Sequence, residues 1–160
     1  MRTGYIDGKY YISASMLALF VYDKQQALDR WYGRNRKSKT KPMKQGNAWH
    51  DKLGYNNRKE YNRELILNDN TVVLFGVPDC CAGCLEELKT IGGKHVPKRK
   101  LDYARVQLLV YLYLLDLDIG RLVFVSRKTG DVVYCEDVKR DDEKLKKIIN
   151  EFIHWVSVNY

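Results

Sequence analysis

The chain has 160 residues, of which 45% are hydrophobic and 30% are charged, and its formal net charge is +8. This composition is typical of a soluble globular protein and excludes a disordered chain, while no apolar run approaches the ~20 residues that span a bilayer. Residues 1–160 are expected to form a single domain in the cytoplasm, since no apolar signal segment follows Met1.

The first third of the chain predicts two helices separated by a basic segment. Apolar residues recur at helical spacing from Ser13 or Ser15 to about Gly33, and a second helix is expected over about 43–59, where it carries His50. Between them, residues 33–44 contain no acid and six basic residues: Arg34, Arg36, Lys37, Lys39, Lys41 and Lys44. Such a cluster indicates either a contact with a polyphosphate backbone or a solvated loop, and the charge alone does not distinguish the two.

The middle of the chain then changes to a strand pattern. Residues 61–67 and 71–81 are predicted strands joined by a turn at 68–70, and residues 85–91 are predicted to return as the hairpin partner of the second strand. A second basic segment, residues 92–100, is predicted to be a loop, and its basic residues are Lys94, Lys98, Arg99 and Lys100.

The last part of the chain completes an α/β pattern. Residues 101–115 predict a buried helix, 122–126 and 132–135 a hairpin, and 141–158 an amphipathic C-terminal helix. The order of elements predicts an α/β fold in which helices flank a central mixed β-sheet of about five strands.

Residues 76–90 carry the candidate chemistry. Glu87 and Lys89 are two positions apart, so both side chains point to the same face of a strand. If Asp79 and Glu87 converge across the hairpin, they supply the oxygen ligands that Mg²⁺ and Mn²⁺ prefer. That convergence requires a bulge near Gly83, because a two-residue turn would direct Glu87 to the opposite face. Taken alone, an Asp followed by Glu-x-Lys is a weak motif that occurs by chance, and ordinary surface charges would be the better interpretation.

Two flanking motifs make the pattern specific. Gly46-x-x-x-His50 precedes the strands, and Gln107-x-x-x-Tyr111 lies on the following helix. In the order Gly-x-x-x-His, Gly-x-x-Asp, Glu-x-Lys-Thr and Gln-x-x-x-Tyr, the motifs resemble the RecB-like branch of the PD-(D/E)XK nucleases, which includes the CRISPR-associated exonucleases. The resemblance covers roughly residues 12–115 and implies a restriction-endonuclease-like core.

The resemblance also implies a metal centre. By correspondence with the family, Asp79 and Glu87 would bind the ion, together with the backbone carbonyl of Leu88 and the side chain of His50. A histidine nitrogen among the ligands favours Mn²⁺ over Mg²⁺, because imidazole suits softer ions.

The family further implies catalytic roles for the neighbouring residues. Lys89 would orient or deprotonate the attacking water and stabilise the transition state. Gln107 and Tyr111 would hold Lys89 and the phosphate in place. The metal would lower the pKa of water and reduce its repulsion by the phosphodiester.

The cysteine pattern departs from this family. Many relatives hold an iron–sulfur cluster with one N-terminal cysteine and three after the Gln-x-x-x-Tyr helix. Here Tyr22 and Asp23 stand where the first is expected and only Cys135 follows that helix, so no iron–sulfur cluster is expected. A metal site formed by cysteines is the less favoured alternative, because the adjacent Cys80 and Cys81 would point to opposite faces of a strand. Its four candidate ligands are Cys80, Cys81, Cys84 and Cys135.

Together these features predict a metal-dependent deoxyribonuclease that acts as an exonuclease on single-stranded or end-containing DNA. Contacts to the phosphates of the DNA backbone carry little sequence specificity. The residues expected to make them are Arg34, Arg36, Lys37, Lys39, Lys41, Lys94, Lys98, Arg99 and Lys100. Tyr55 and Tyr103 could stack bases, whereas Trp31 and Trp49 suit core packing better. Alternatives are a structure-specific endonuclease and a non-catalytic DNA-binding subunit, and a homo-oligomer or an assembly with other DNA-processing proteins is compatible with each.

Overall fold

The structure, a computed structural model, describes residues 1–34, 41–55, 59–79 and 84–160, without the side chains of residues 41 and 42. The strands are β1 (Gly4–Ile6), β2 (Lys9–Ser13), β3 (Tyr61–Leu67), β4 (Asn70–Gly76), β5 (Leu85–Ile91), β6 (Ile119–Ser126) and β7 (Val132–Lys139). The helices are α1 (Ala14–Tyr22), α2 (Lys24–Trp31), α3 (Lys41–Lys52), α4 (Lys98–Leu115) and α5 (Asp142–Val158).

The strands form two mixed sheets, and the predicted α/β class with flanking helices is confirmed. One sheet has the order β1-β2-β4-β3, with β2 and β4 parallel, and the other has the order β5-β6-β7, with β5 and β6 parallel. The strands are therefore divided four and three rather than gathered in a single sheet of about five. Helix α4 contacts both sheets as well as α1 and α5, and half of its residues are buried.

The predicted hairpin between residues 71–81 and 85–91 is wrong. Strand β4 ends at Gly76, and β5 pairs in parallel with β6 in the other sheet. Pro78 cannot donate a ladder hydrogen bond, so the Val77-Pro78 segment directs the chain out of the first sheet. The bulge predicted at Gly83 lies outside the described residues.

The N-terminal region differs from the prediction in two ways. Strands β1 and β2 were not predicted, although the Asp7-Gly8 pair between them is a hairpin signal, and both residues have positive φ. The single helix expected up to Gly33 is instead α1 followed by α2. Asp23 separates them because its backbone is extended and its carboxylate accepts a hydrogen bond from the Gln26 N–H at 3.1 Å.

Two helix boundaries bear on the candidate site. Helix α3 ends before Gly54, whose φ is +81°, and is thus shorter than predicted. Helix α4 begins at Lys98 rather than near residue 101, so the basic residues 98–100 form its first turn rather than part of a loop. Across the described ranges, no helix has the length and apolarity needed to cross a membrane.

Candidate active site

Strand β5 positions the acid and the cation of the Glu-x-Lys motif. Both side chains lie on the same face, where the Lys89 Nζ is 3.2 Å from the Glu87 Oε2. Glu87 is only 2% exposed, and it is the only buried charged residue in the described part of the chain. Burying a carboxylate is costly unless a cation or hydrogen bonds compensate, so a buried glutamate at this position indicates a functional site.

Asp79 reaches β5 from the loop that follows β4. Its Oδ2 accepts a hydrogen bond of 2.8 Å from the Leu88 N–H, and its own N–H donates to the Glu87 Oε1 at 3.3 Å. Because β5 is an edge strand and the Leu88 N–H points away from β6, the Leu88 carbonyl faces this same side. Two carboxylates and a backbone carbonyl therefore meet along the free edge of β5.

Helix α3 adds an imidazole to this group. The His50 Nδ1 lies 2.7 Å from the carbonyl of Gly46, one turn earlier, and this contact orients the ring. The Nε2 then faces the Asp79 Oδ2 at 3.1 Å. The side chain of Trp49 also fastens α3 to the second sheet, because its Nε1–H donates to the Arg127 carbonyl at 2.7 Å.

The His50–Asp79 contact has the character of an ion pair. Burial disfavours the charged ring, but the hydrogen bond and the negative charge of Asp79 outweigh burial and raise the pKa of His50 to about 9. Burial likewise opposes ionisation of Asp79, yet the His50 hydrogen bond and the Lys89 charge hold the pKa of Asp79 below its usual value.

The second pair is more deeply buried. Burial raises the pKa of Glu87 to about 7, against the opposing effect of the Lys89 charge, and the charge of Asp79 adds to the rise. Burial opposes the charge on Lys89, but the Glu87 carboxylate more than compensates and raises the pKa of Lys89. Each of the two acids is thus paired with a cation, Asp79 with His50 and Glu87 with Lys89.

Helix α4 places Tyr111, the second residue of the Gln-x-x-x-Tyr motif, near the same acids. Burial raises the pKa of Tyr111 well above its usual value, and the charges of Glu87 and Asp79 contribute. The Tyr111 ring fits against Gly76, where an added Cβ would lie 2.8 Å from the ring. One turn earlier, Gln107 is buried, and its Oε1 has no hydrogen-bond partner among the described residues. A buried unpaired amide oxygen indicates a position meant for a donor.

The donor set fits a divalent cation in its chemistry. One imidazole nitrogen, two carboxylates and an edge carbonyl are typical ligands of Mn²⁺ and Mg²⁺. In the described ranges, however, no three His, Cys, Asp or Glu side chains are already arranged around a common point as metal ligands. The carboxylate oxygens are instead engaged by His50, Lys89 and two backbone N–H groups.

The predicted DNA contacts are only partly described. Four of them lie outside the described part of the chain, namely Arg36, Lys37, Lys39 and the side chain of Lys41. The same holds for two of the cysteines considered as metal ligands, Cys80 and Cys81. Arg34 lies 3.9 Å from Asp29 and over the Tyr32 ring. Arg99 donates to the Tyr22 carbonyl and stacks on its ring, so it also serves the fold. Lys94, Lys98 and Lys100 are exposed.

The sequence did not assign Tyr103 to the Lys89 environment. The Lys89 Nζ lies 5.4 Å from the centre of the Tyr103 ring, within the range of a cation–π contact. A signal was present, because Tyr103, Gln107 and Tyr111 are spaced four residues apart and share one face of α4.

Replacing Gly46 by alanine is expected to impair the site without unfolding the chain. An added Cβ would lie 2.8 Å from the Thr90 Oγ1, so α3 would move away from β5 and carry His50 with it. We expect the Mn²⁺ affinity to fall about tenfold or more. Titration calorimetry measures this, and adding Thr90→Ala should restore affinity by removing the clash. Unchanged Mn²⁺ affinity in Gly46→Ala would show that the close packing of α3 against β5 does not determine the geometry of the metal site.

The geometry defines an α/β core that carries a His–Asp–Glu–Lys centre at a strand edge. No protein-family model matches the chain, and no curated protein sequence matches it. Solved structures do share the fold. An alkaline exonuclease (LHK-Exo) from Laribacter hongkongensis superposes with a TM-score of 0.57 at 12% identity, over 94% of this chain and 87% of that one.

Two further structures extend this fold likeness. A phage-related exonuclease from Haemophilus somnus 129PT has a TM-score of 0.58 and 14% identity, and the match covers 93% of this chain and 91% of that one. The protein SSO0001 has a TM-score of 0.65 and 16% identity, and the match covers 93% of this chain and 78% of that one. The chain therefore shares its fold with these three solved structures, two of which are exonucleases.

Proposed function

We propose that the chain is a metal-dependent DNA nuclease of the PD-(D/E)XK type, closest in its motifs to the RecB-like branch, and that the whole chain forms one nuclease domain. The observation that carries the proposal is the meeting of His50, Asp79, Glu87 and Lys89 at the edge of β5. The fold is also that of two exonucleases. Fold alone does not determine function, so the side-chain cluster carries the argument.

A divalent ion, Mn²⁺ or Mg²⁺, would be held by His50, Asp79, Glu87 and the Leu88 carbonyl. When bound, it would lower the pKa of water and neutralise charge on the phosphodiester. For the His50 Nε2 and the Asp79 carboxylate both to become ligands, the proton between them must leave. Ion binding is therefore expected to release a proton at neutral pH, since the pKa of His50 is about 9.

The remaining groups position the substrate and the water. Lys89, fixed by Glu87, can donate to the scissile phosphate and stabilise the negative charge that develops there. Gln107 offers a buried acceptor that suits a water molecule. Tyr111 offers a hydroxyl that stays protonated and can donate to a water or to a phosphate oxygen. Hydrolysis then breaks a P–O bond of the strand and leaves a phosphate and a hydroxyl end.

Free DNA ends or single strands are the proposed substrate, cut with little sequence specificity and with exonuclease action preferred. The exonuclease neighbours favour this choice over a structure-specific endonuclease. A non-catalytic DNA-binding subunit would not be expected to keep the complete His50, Asp79, Glu87 and Lys89 set.

Labelled linear and circular DNA distinguish these functions. The protein is incubated with single-stranded and double-stranded forms of each, in Mn²⁺, Mg²⁺ or EDTA. We expect metal-dependent loss of linear DNA and survival of circles. Cutting of circles would identify an endonuclease, and binding without cutting in any metal would overturn the nuclease proposal.

Neutralising Lys98 and Lys100 together should weaken DNA binding and its dependence on salt. Both side chains are exposed in the first turn of α4, and Arg99 is left in place because it contacts Tyr22. Each lost phosphate contact should reduce the slope of log affinity against log salt by about 0.7 for single strands. Fluorescence anisotropy at several salt concentrations measures the slope. The matched control is the removal of two exposed lysines of α5, Lys146 and Lys147, and equal slopes in the two double variants would exclude the α4 contact.

A further inference from the structure

A pocket of about 440 Å³ opens beside Lys89, outside the cluster of metal-ligand candidates. It lies between the α1–α2 region, the first turns of α4, and β5 with its neighbour β6. Two buried apolar side chains, Leu19 and Phe124, form part of its lining. Its remaining lining includes Tyr22, Gln26, Arg30, Lys100 and Tyr103.

Aromatic and cationic groups face each other across this pocket. The rings of Tyr22 and Tyr103 lie edge to face with centroids 6.1 Å apart. Arg30 and Lys100 are exposed at the rim, and neither has an ion pair or hydrogen bond from its side chain within the described part of the chain. Apolar and aromatic walls with cations at the mouth suit a ligand that has a flat ring at one end and an anion at the other.

The N-terminus of α4 also favours an anion at this rim. Its first turn contains three basic residues and no acid, and Pro97 provides no capping hydrogen bond from a side chain. Positive charges at a helix N-terminus oppose the helix dipole, and a bound anion would relieve that repulsion. Since Lys100 lines the pocket, the favourable position for the anion is at the pocket mouth.

We propose that this pocket takes one unpaired nucleotide of DNA, the neighbour of the scissile phosphodiester. Its base would lie against the Tyr22 and Tyr103 rings, and its outer phosphate would contact Arg30 and Lys100. Base–aromatic stacking tolerates any sequence. A base inside a duplex has both faces covered by its neighbours, so a duplex would have to open at its end for a base to reach the two rings. This inference rests on the proposed nuclease function and adds to it the requirement for an unpaired strand.

Filling the pocket provides the test. Gln26 lines the pocket and is half-buried, so Gln26→Trp should occupy the space meant for the base. The matched control is Gln25→Trp, because Gln25 is the preceding residue of α2 but is exposed and outside the pocket lining. Arg30→Ala is a second variant with little risk to folding, since this side chain is exposed. Thermal unfolding verifies the fold of all three.

Anisotropy with a labelled short oligothymidylate, without metal, measures binding. Gln26→Trp should bind about tenfold more weakly, which is the effect of losing one stacked base, and Arg30→Ala should also bind more weakly. Gln25→Trp should match the wild type, and a blunt DNA hairpin should bind all forms less tightly than the single strand. Wild-type affinity for the oligothymidylate in both Gln26→Trp and Arg30→Ala would overturn the pocket assignment.

A small phosphodiester separates this outcome from failure of the proposed function. Methyl 4-nitrophenyl phosphate has no base or sugar, so with Mn²⁺ present its hydrolysis should be the same in Gln26→Trp and the wild type while cleavage of DNA falls. If the wild type hydrolyses neither substrate, the nuclease proposal fails, and the binding comparison still decides the pocket. Equal DNA cleavage by Gln26→Trp and the wild type would contradict the pocket alone.

Discussion

Asp79→Ala is expected to lower the DNA cleavage rate by about a hundredfold to a thousandfold, an effect of the size seen when a group that stabilises the transition state is lost. The Asp79 carboxylate touches both the His50 ring and the Leu88 N–H, so its removal takes away a metal ligand and the group that links α3 to β5. Mn²⁺ affinity should fall with the rate, because both depend on the same oxygen.

The measurements are single-strand cleavage and Mn²⁺ titration calorimetry, with circular dichroism to verify the fold. Glu151→Ala removes an exposed carboxylate from α5 and serves as the control for charge. DNA binding without metal should be kept or slightly strengthened in Asp79→Ala, because one negative charge is lost. Cleavage at the wild-type rate would remove Asp79 from the mechanism.

Lys89→Met should reduce cleavage to a similar extent without weakening Mn²⁺ binding. Methionine has nearly the length of lysine and suits the half-buried position, while the ammonium that would stabilise the phosphate is lost. Mn²⁺ affinity should rise, because the Glu87 carboxylate no longer pairs with a side-chain cation.

Calorimetry and cleavage performed on the same Lys89→Met preparation separate the two roles. Loss of both metal binding and cleavage would indicate that Lys89 only organises Glu87. Retained cleavage would show that the ammonium takes no part in the reaction. Together with Asp79→Ala, this variant distinguishes a ligand from a group that acts on the phosphate.

The sequence predicted which residues cluster at the candidate site better than it predicted the strand pairing that brings them together. His50, Asp79, Glu87 and Lys89 do lie in one cluster, as the spacing of the motifs implied. The hairpin that was predicted to bring them together does not form, because β5 pairs with β6 instead. Asp79 approaches β5 from a loop, so the alternation of strand faces places no constraint on its side chain.

The pairing of β5 could not be derived from local sequence. Its parallel partner β6 lies beyond α4, and periodicity within a strand does not specify a distant partner. Local signals explain other differences. Asp23 caps α2, and Asp7-Gly8 is a hairpin turn, so both features were readable from the residues themselves.

A crystal structure of the protein soaked with Mn²⁺ and measured at an anomalous wavelength tests the metal centre directly. The predicted result is a peak about 2.0–2.3 Å from the His50 Nε2 and from oxygens of Asp79, Glu87 and the Leu88 carbonyl, the distances expected for nitrogen and oxygen ligands. A peak on the cysteines, or density in which the His50–Asp79 pair persists at saturating Mn²⁺, would contradict the proposed centre.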